Sequence, residues 1–255
     1  MMLHIMLLAV GLLHSLVLAF PSSFAIGLSK NQKQRSIFAL SYNNRLENVS
    51  SLQNEYFALR HGQSLANVEK IIASSPEIAC KYGLSVAGKE QALKAGETVV
   101  HQLQNQKYSG VLILSSDLLR AKQTAEAVAE AVRMSSTPLH TDGIILDTRL
   151  RERGFGEWDG GSDNNYNEVW KDDATDPNHE VQGVESVMSV MDRATTCIRE
   201  WDAEFEDYMV ICVAHGDVLQ ILQTAFCKMD GSKHRTLEHL ETATLRRLPL
   251  ASEVP

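Results

Sequence analysis

The sequence predicts an α/β fold built on a mainly parallel sheet. Short apolar runs of strand length alternate with longer stretches that carry apolar residues at helical spacing. Runs such as VLIL at 111–114 and MVICVA at 209–214 do not alternate apolar with polar residues, so they read as strands covered on both faces. Three of these runs break off directly into cationic, hydroxyl or imidazole side chains.

The elements follow in order. EYFALRHG (55–62) opens with a strand ending at Leu59. LSVAGKEQALKAGETVVHQLQ (84–104) is a helix. Ser85 suits its N-cap, and Ala92, Leu93, Gly96, Val99, Val100 and Leu103 recur at helical spacing. VLILSS (111–116) is a buried strand, and DLLRAKQTAEAVAEAV (117–132) is a helix with Asp117 as its cap. A passage marked by Pro138 and Gly143 follows, with a strand near Ile144 to Leu146. Residues 156–183 are irregular and acidic, and fit either a lid over a site or a solvated loop. VESVMSVMDRATTCIREWDAEF (184–205) is an amphipathic helix with Val187, Met191, Ala194, Ile198, Trp201 and Phe205 on one face. MVICVAHG (209–216) is a further strand, running into a helix capped by Asp217.

The 255-residue chain has a net charge of −8, and no Asp or Glu precedes Glu47, so the remainder is more acidic than the total suggests. That balance argues against nucleic acid as a partner, because a phosphate backbone needs a basic face. Cys80, Cys197, Cys212 and Cys227 form no CxxC pair and suggest neither a zinc site nor a disulfide framework. IMLLAVGLLHSLVLAF (5–20) suits a signal peptide over residues 1–19, with Val17 and Ala19 before the cut. Residues 20–50 are Ser-rich and basic, like a transit peptide. Together they resemble bipartite leaders that address proteins to plastids; secretion or an endomembrane location is the alternative. Residues 51–250 are the expected folded domain, with no membrane attachment once the leader is removed.

In α/β sheets, ligands bind beyond the carboxyl ends of the strands. Arg60 and His61 follow the first strand, Ser115, Ser116 and then Arg120 the second, and His215 and Gly216 the last, so all would meet at one rim. The two arginines offer planar forks for phosphate oxygens, and Arg120 would sit in a first helical turn, where free N–H groups add positive potential. Gly62 and Gly216 would let backbone approach a ligand closely. One unprotonated imidazole would attack phosphorus while the other, cationic in this field, stabilises the equatorial oxygens. No metal or other cofactor is called for, since cationic side chains do the neutralising. LRERGFGEWDG (150–160) offers Glu152 as the acid for the leaving oxygen, with Glu157 and Asp159 as rivals. Ser64 and Asn67 fit phosphate contact or a helix cap, and Trp158 fits packing or a substrate platform. His101, His140, His179, His234 and His239 read as non-catalytic, although His234, Arg235 and His239 would also suit a pocket wall.

LRHGQSLAN, SSDLLRAKQTAE, LRERGFGEWDG and VAHGDVLQIL resemble, in order, the four motifs of the histidine phosphatase superfamily, the phosphoglycerate mutase-like proteins. The resemblance spans about residues 55–225. It implies a three-layer phosphoglycerate mutase-like sandwich and a covalent phosphohistidine on His61. It also implies a phosphate pocket of Arg60, His61, Arg120 and His215, supported by Asn67 and Ser64, with Glu152 as proton donor. The substrate would be a small phosphomonoester. Glycolytic mutases of the family carry a Gly-Trp-Asp passage after the RHG motif; VEKIIASSPEIACKYGLSVAGKEQA lacks it, which favours hydrolysis over mutase transfer. A non-catalytic phosphate-binding module is the third reading, and the oligomeric state is left open.

Overall fold

A computed structural model describes residues 52–250; the predicted leader lies outside them. The first strand, β1 (Glu55–Arg60), is one residue longer than its apolar run. Two short helices follow, α1 (Leu65–Glu69) and α2 (Pro76–Ala79), and then the long α3 (Val86–Asn105), whose Ser85 cap accepts from the Gly88 N–H at 3.0 Å as its sequence predicts. Next come β2 (Gly110–Ser115) and α4 (Leu119–Arg133). β3 (Leu139–Leu146) is longer than the predicted strand, because its pairing with β2 continues across an irregularity between Val111 and Ile113. α5 (Tyr166–Thr175), α6 (Val187–Asp202), β4 (Tyr208–Ala214), α7 (Gly216–Phe226) and β5 (Leu245–Arg247) complete the order.

The strands lie in the order β3-β2-β4-β1-β5, parallel throughout except for β5, which runs antiparallel to β1 at the edge. One face of the sheet, with Phe57, Leu59, Val111, Ile113, Ile211 and Val213, packs on Val99 of α3 and Ala121, Ala125 and Val128 of α4. Residues in between point the other way. Tyr56 meets the Phe226 ring of α7 at 5.8 Å and its hydroxyl reaches the Ile198 carbonyl of α6. Helices on both faces make the mixed α/β sandwich that the sequence predicts. Register aligns the carboxyl ends: Arg60 pairs with Ala214, and Ser115 with Val213.

Three expectations are corrected. Asp117 does not cap α4, whose N-cap is Leu118 with no side-chain bond; Asp117 instead pairs with Arg151, accepting from Nε at 2.7 Å and Nη2 at 2.5 Å. Asp217 does not cap α7, because His215 holds that position, and Asp217 is buried in the first turn. Residues 156–183 are more regular than expected, since they contain α5 and three 3-10 turns at 156–158, 163–165 and 181–183.

Candidate active site

Arg60 ends β1 and His61 follows it, with the His61 N–H donating to the Ala214 carbonyl at 3.0 Å, so the sheet ladder itself fixes the histidine backbone. Arg120 lies one residue into α4, near its free N–H groups, as predicted. His215 caps α7 directly beyond β4. The two imidazoles meet with ring centroids 5.1 Å apart. They line or adjoin a cavity of about 200 Å³ walled by Arg60, His61, Arg120, Glu152, Tyr166, Trp170, Asp217 and Arg235, among others. A larger cleft of about 340 Å³ opens near the starts of β1 and β4, and none of these groups reaches it.

Hydrogen bonds define the tautomer of His61. Its Nδ1 lies 2.7 Å from the Gly62 carbonyl, which can only accept, so Nδ1 carries the proton. Nε2 is left with its lone pair, which accepts from Arg120 Nε at 3.0 Å. Burial first, and then the charges of Arg120 and Arg60, hold His61 well below the usual histidine range, so the ring is neutral.

Close to the two rings lie buried nitrogens without hydrogen-bond partners among the described residues. Arg120 Nη2 donates to the Ala73 carbonyl, but Nη1 has no hydrogen bond among the described residues. Arg60 Nη1 donates to His239 Nε2 and the Leu240 carbonyl, while Arg60 Nε is likewise unpartnered. His215 Nε2 lies 2.8 Å from Ser116 Oγ, and its Nδ1 is the third such atom. A buried polar atom with no partner costs about 1–3 kcal/mol, and the two guanidinium nitrogens can only donate, so they mark a place shaped for an acceptor-rich group. A fourth, His234 Nε2, is away from them and faces Asp173 Oδ2 at 3.6 Å.

His215 departs from expectation. Burial and the neighbouring Arg120 hold it well below its ordinary value, so in the protein alone it is neutral rather than cationic. A phosphate dianion beside it would draw its pKa upward. Glu152 moves as its chemistry requires, although for a different reason: burial, reinforced by the negative charge of Asp217, pushes its carboxyl up to about 7 before any ligand is considered. Its rivals are placed elsewhere. Glu157 is exposed, and Asp159 accepts from the Ser74 and Ser75 N–H groups, a structural cap.

Ser64 and Asn67 form a reciprocal capping box at the start of α1, with Asn67 Oδ1 accepting from the Ser64 N–H and Ser64 Oγ from the Asn67 N–H. Both still line the cavity. Gly216 lines it too. Gly62 does not serve the close ligand approach expected of it. A Cβ there would lie 2.4 Å from the Gly88 carbonyl oxygen, and its N–H already donates to Thr124 Oγ1. Its smallness lets α3 approach. Trp158 packs against the cluster of Ile72, Phe155, Val169 and Val184.

The sequence reading missed Tyr166, Trp170 and Asp217 as cavity residues. Tyr166, Val169, Trp170 and Asp173 fall three and four apart, a helical signal inside the acidic stretch that would have exposed α5.

Comparison with known proteins identifies the family and the fold. The sequence profile of the histidine phosphatase superfamily (branch 1) matches residues 56–254. A glucosyl-3-phosphoglycerate phosphatase of Mycolicibacterium vanbaalenii is 33% identical over 181 residues, covering 66% of this chain and 71% of that protein. The protein of the same name from Mycobacterium tuberculosis is 31% identical, covering 74% and 82%. A solved mycobacterial glucosyl-3-phosphoglycerate phosphatase in complex with VO3 superposes with a TM-score of 0.60 at 28% identity, over 75% of this chain and 90% of that one.

Proposed function

Because the chain belongs to the histidine phosphatase superfamily, we propose that it hydrolyses the phosphomonoester of a small metabolite through a phosphoryl group carried on Nε2 of His61. The observation that carries this reading is the set of buried nitrogens Arg60 Nε, Arg120 Nη1 and His215 Nδ1, without hydrogen-bond partners among the described residues, beside a His61 whose Nε2 holds its lone pair. Two guanidinium donors, the His215 ring once a bound dianion draws it to protonate, and one lone pair match three equatorial oxygens and one phosphorus atom. Relatives named for glucosyl-3-phosphoglycerate and for fructose 2,6-bisphosphate support a small phosphorylated substrate.

The steps follow from the groups in place. Substrate oxygens draw the guanidinium of Arg120 off Nε2, whose lone pair then attacks phosphorus in line with the ester oxygen. The P–O ester bond breaks, and the Glu152 carboxyl, protonated below about pH 7, gives its proton to the leaving oxygen. The resulting carboxylate takes a proton from water. That water's oxygen attacks phosphorus, the N–P bond breaks, and inorganic phosphate leaves. Arg60 and Arg120 supply the positive charge throughout.

Rapid quenching with a labelled aryl phosphate tests the scheme. Wild type should carry an acid-labile, base-stable label on His61 and release inorganic phosphate, whereas His61→Ala should do neither. Undiminished release by the alanine variant defeats the scheme. Retention of the label until a second hydroxyl compound accepts it points to a mutase, and binding without turnover to a phosphate-binding module.

A further inference from the structure

We propose that Arg235 is a specificity-determining residue that reads a carboxylate on the substrate, close to the scissile phosphate. The inference rests on the phosphatase reading and deepens it. Arg235 lies in the 3-10 turn Gly231–Thr236, far in sequence from α5 but against it in space. Tyr166 and Trp170 stack on one face of α5, with ring centroids 5.4 Å apart and planes 7° from parallel. The Arg235 guanidinium sits 3.7 Å over the centre of the Trp170 ring.

That indole is itself fixed. Its Nε1 donates to both carboxylate oxygens of Asp217, at 3.0 and 3.1 Å. Asp217 Oδ1 then lies 3.7 Å from Arg235 Nη1, near enough to attract but too far for a hydrogen bond. Arg153 Nη1 also shares Asp217, at 3.4 Å from Oδ2. Arg235 is thus held by a ring face and an ion pair while making no hydrogen bond of its own within the described residues. Its side chain remains 26% exposed and lines the same cavity as Arg60, His61 and Arg120. A guanidinium that is positioned but uncommitted binds an oxyanion with little further ordering.

The stack also argues about what the group is not. The centre of the indole face is covered by Arg235, so Trp170 is not an open platform for a neutral sugar ring. A second phosphate fits poorly, because Asp163, Asp217 and Glu152 line the same small cavity. Once Arg60 and Arg120 face the first dianion, one guanidinium remains, which balances a single negative charge and not two. A carboxylate carries that charge and matches the planar fork.

Competition against aryl phosphate hydrolysis by the intact protein tests this. The probes are 3-phosphoglycerate and glycerol 3-phosphate, which share a carbon skeleton and differ by a carboxylate in place of a hydroxymethyl group. In wild type, 3-phosphoglycerate should inhibit with a Ki about tenfold or more below that of glycerol 3-phosphate. The ratio should fall to near one in Arg235→Met, which keeps an apolar stem on Trp170, and recover in part in Arg235→Lys. Because the readout is a ratio, a general loss of activity or stability does not imitate it. A ratio near one in wild type, or an unchanged ratio in Arg235→Met, overturns the proposal. Tighter inhibition by 1,3-propanediol bisphosphate than by 3-phosphoglycerate overturns the carboxylate assignment. Absence of aryl phosphate turnover would defeat the phosphatase reading instead, and the same ratio measured by calorimetry would still judge Arg235.

Discussion

Arg120 and Arg153 are both almost sealed from solvent, at 4% and 0% exposure, yet the protein treats them in opposite ways. Every nitrogen of Arg153 is engaged: Nε donates to the Glu185 carbonyl, while Nη1 and Nη2 grip the two carboxylate oxygens of Asp173 at 2.7 Å each. Arg120 keeps one nitrogen without a partner and aims another at a histidine lone pair. The first is a tie that joins the 150–160 loop to α5. The second, in the proposed reaction, is a receptor. Burial of charge alone does not separate the two; the completeness of the hydrogen-bond set does.

Substitution sharpens the contrast. Arg120→Met should lower kcat/KM for an aryl phosphate by about 10³-fold or more, because a donor to the transition-state oxygens is removed. Its melting temperature should hold or rise, since a buried and incompletely bonded cation is replaced by an apolar side chain. Asp173→Ala should do the reverse. Leaving Arg153 buried without its partner costs about 3–5 kcal/mol, read as a lower melting temperature, with a smaller change in kcat/KM for the protein that stays folded. Equal destabilisation by both variants would erase the distinction.

A smaller effect separates the acid from the nucleophile. The Glu152 carboxyl sits near 7, raised by burial and by Asp217, so its protonated form is present below that pH and is lost as pH rises through it. Turnover should therefore fall on the alkaline side of about pH 7, and Glu152→Gln should flatten that limb while slowing an alkyl ester by about 10²-fold or more. His61 is shifted the other way and stays unprotonated well below pH 6.5, so no loss of nucleophile is expected near 6.5 on the acid side. An alkaline limb that survives in Glu152→Gln assigns the acid elsewhere.

The same contrast explains what the sequence revealed. Arg60, His61 and His215 each sit at or just beyond the end of a buried strand, where an apolar run stops, and Arg120 sits in the first turn of the helix that follows β2. Local pattern was enough to bring them to one rim. Arg153 lies in an equally conspicuous stretch, but its meaning depends on Asp173 and Asp217, which reach it from α5 and α7. Asp117 and Asp217 looked like caps because each precedes a helical pattern; longer-range partners, Arg151 for one and Trp170 for the other, claimed them instead. The pairing of Trp170 with Arg235 joins α5 to the 3-10 turn Gly231–Thr236, and the helical spacing around Trp170 says nothing of that distant partner.

The proposed chemistry requires the uncommitted nitrogens to address one phosphoryl group. A crystal structure of the protein with orthovanadate, a trigonal-bipyramidal mimic of the transferring phosphoryl group, tests this most directly. Vanadium should bond to Nε2 of His61, with equatorial oxygens about 2.9 Å from Arg60 Nε, Arg120 Nη1 and His215 Nδ1. Vanadate bound to His215, or held in the cavity with Nε2 of His61 turned away and those three nitrogens untouched, would contradict it.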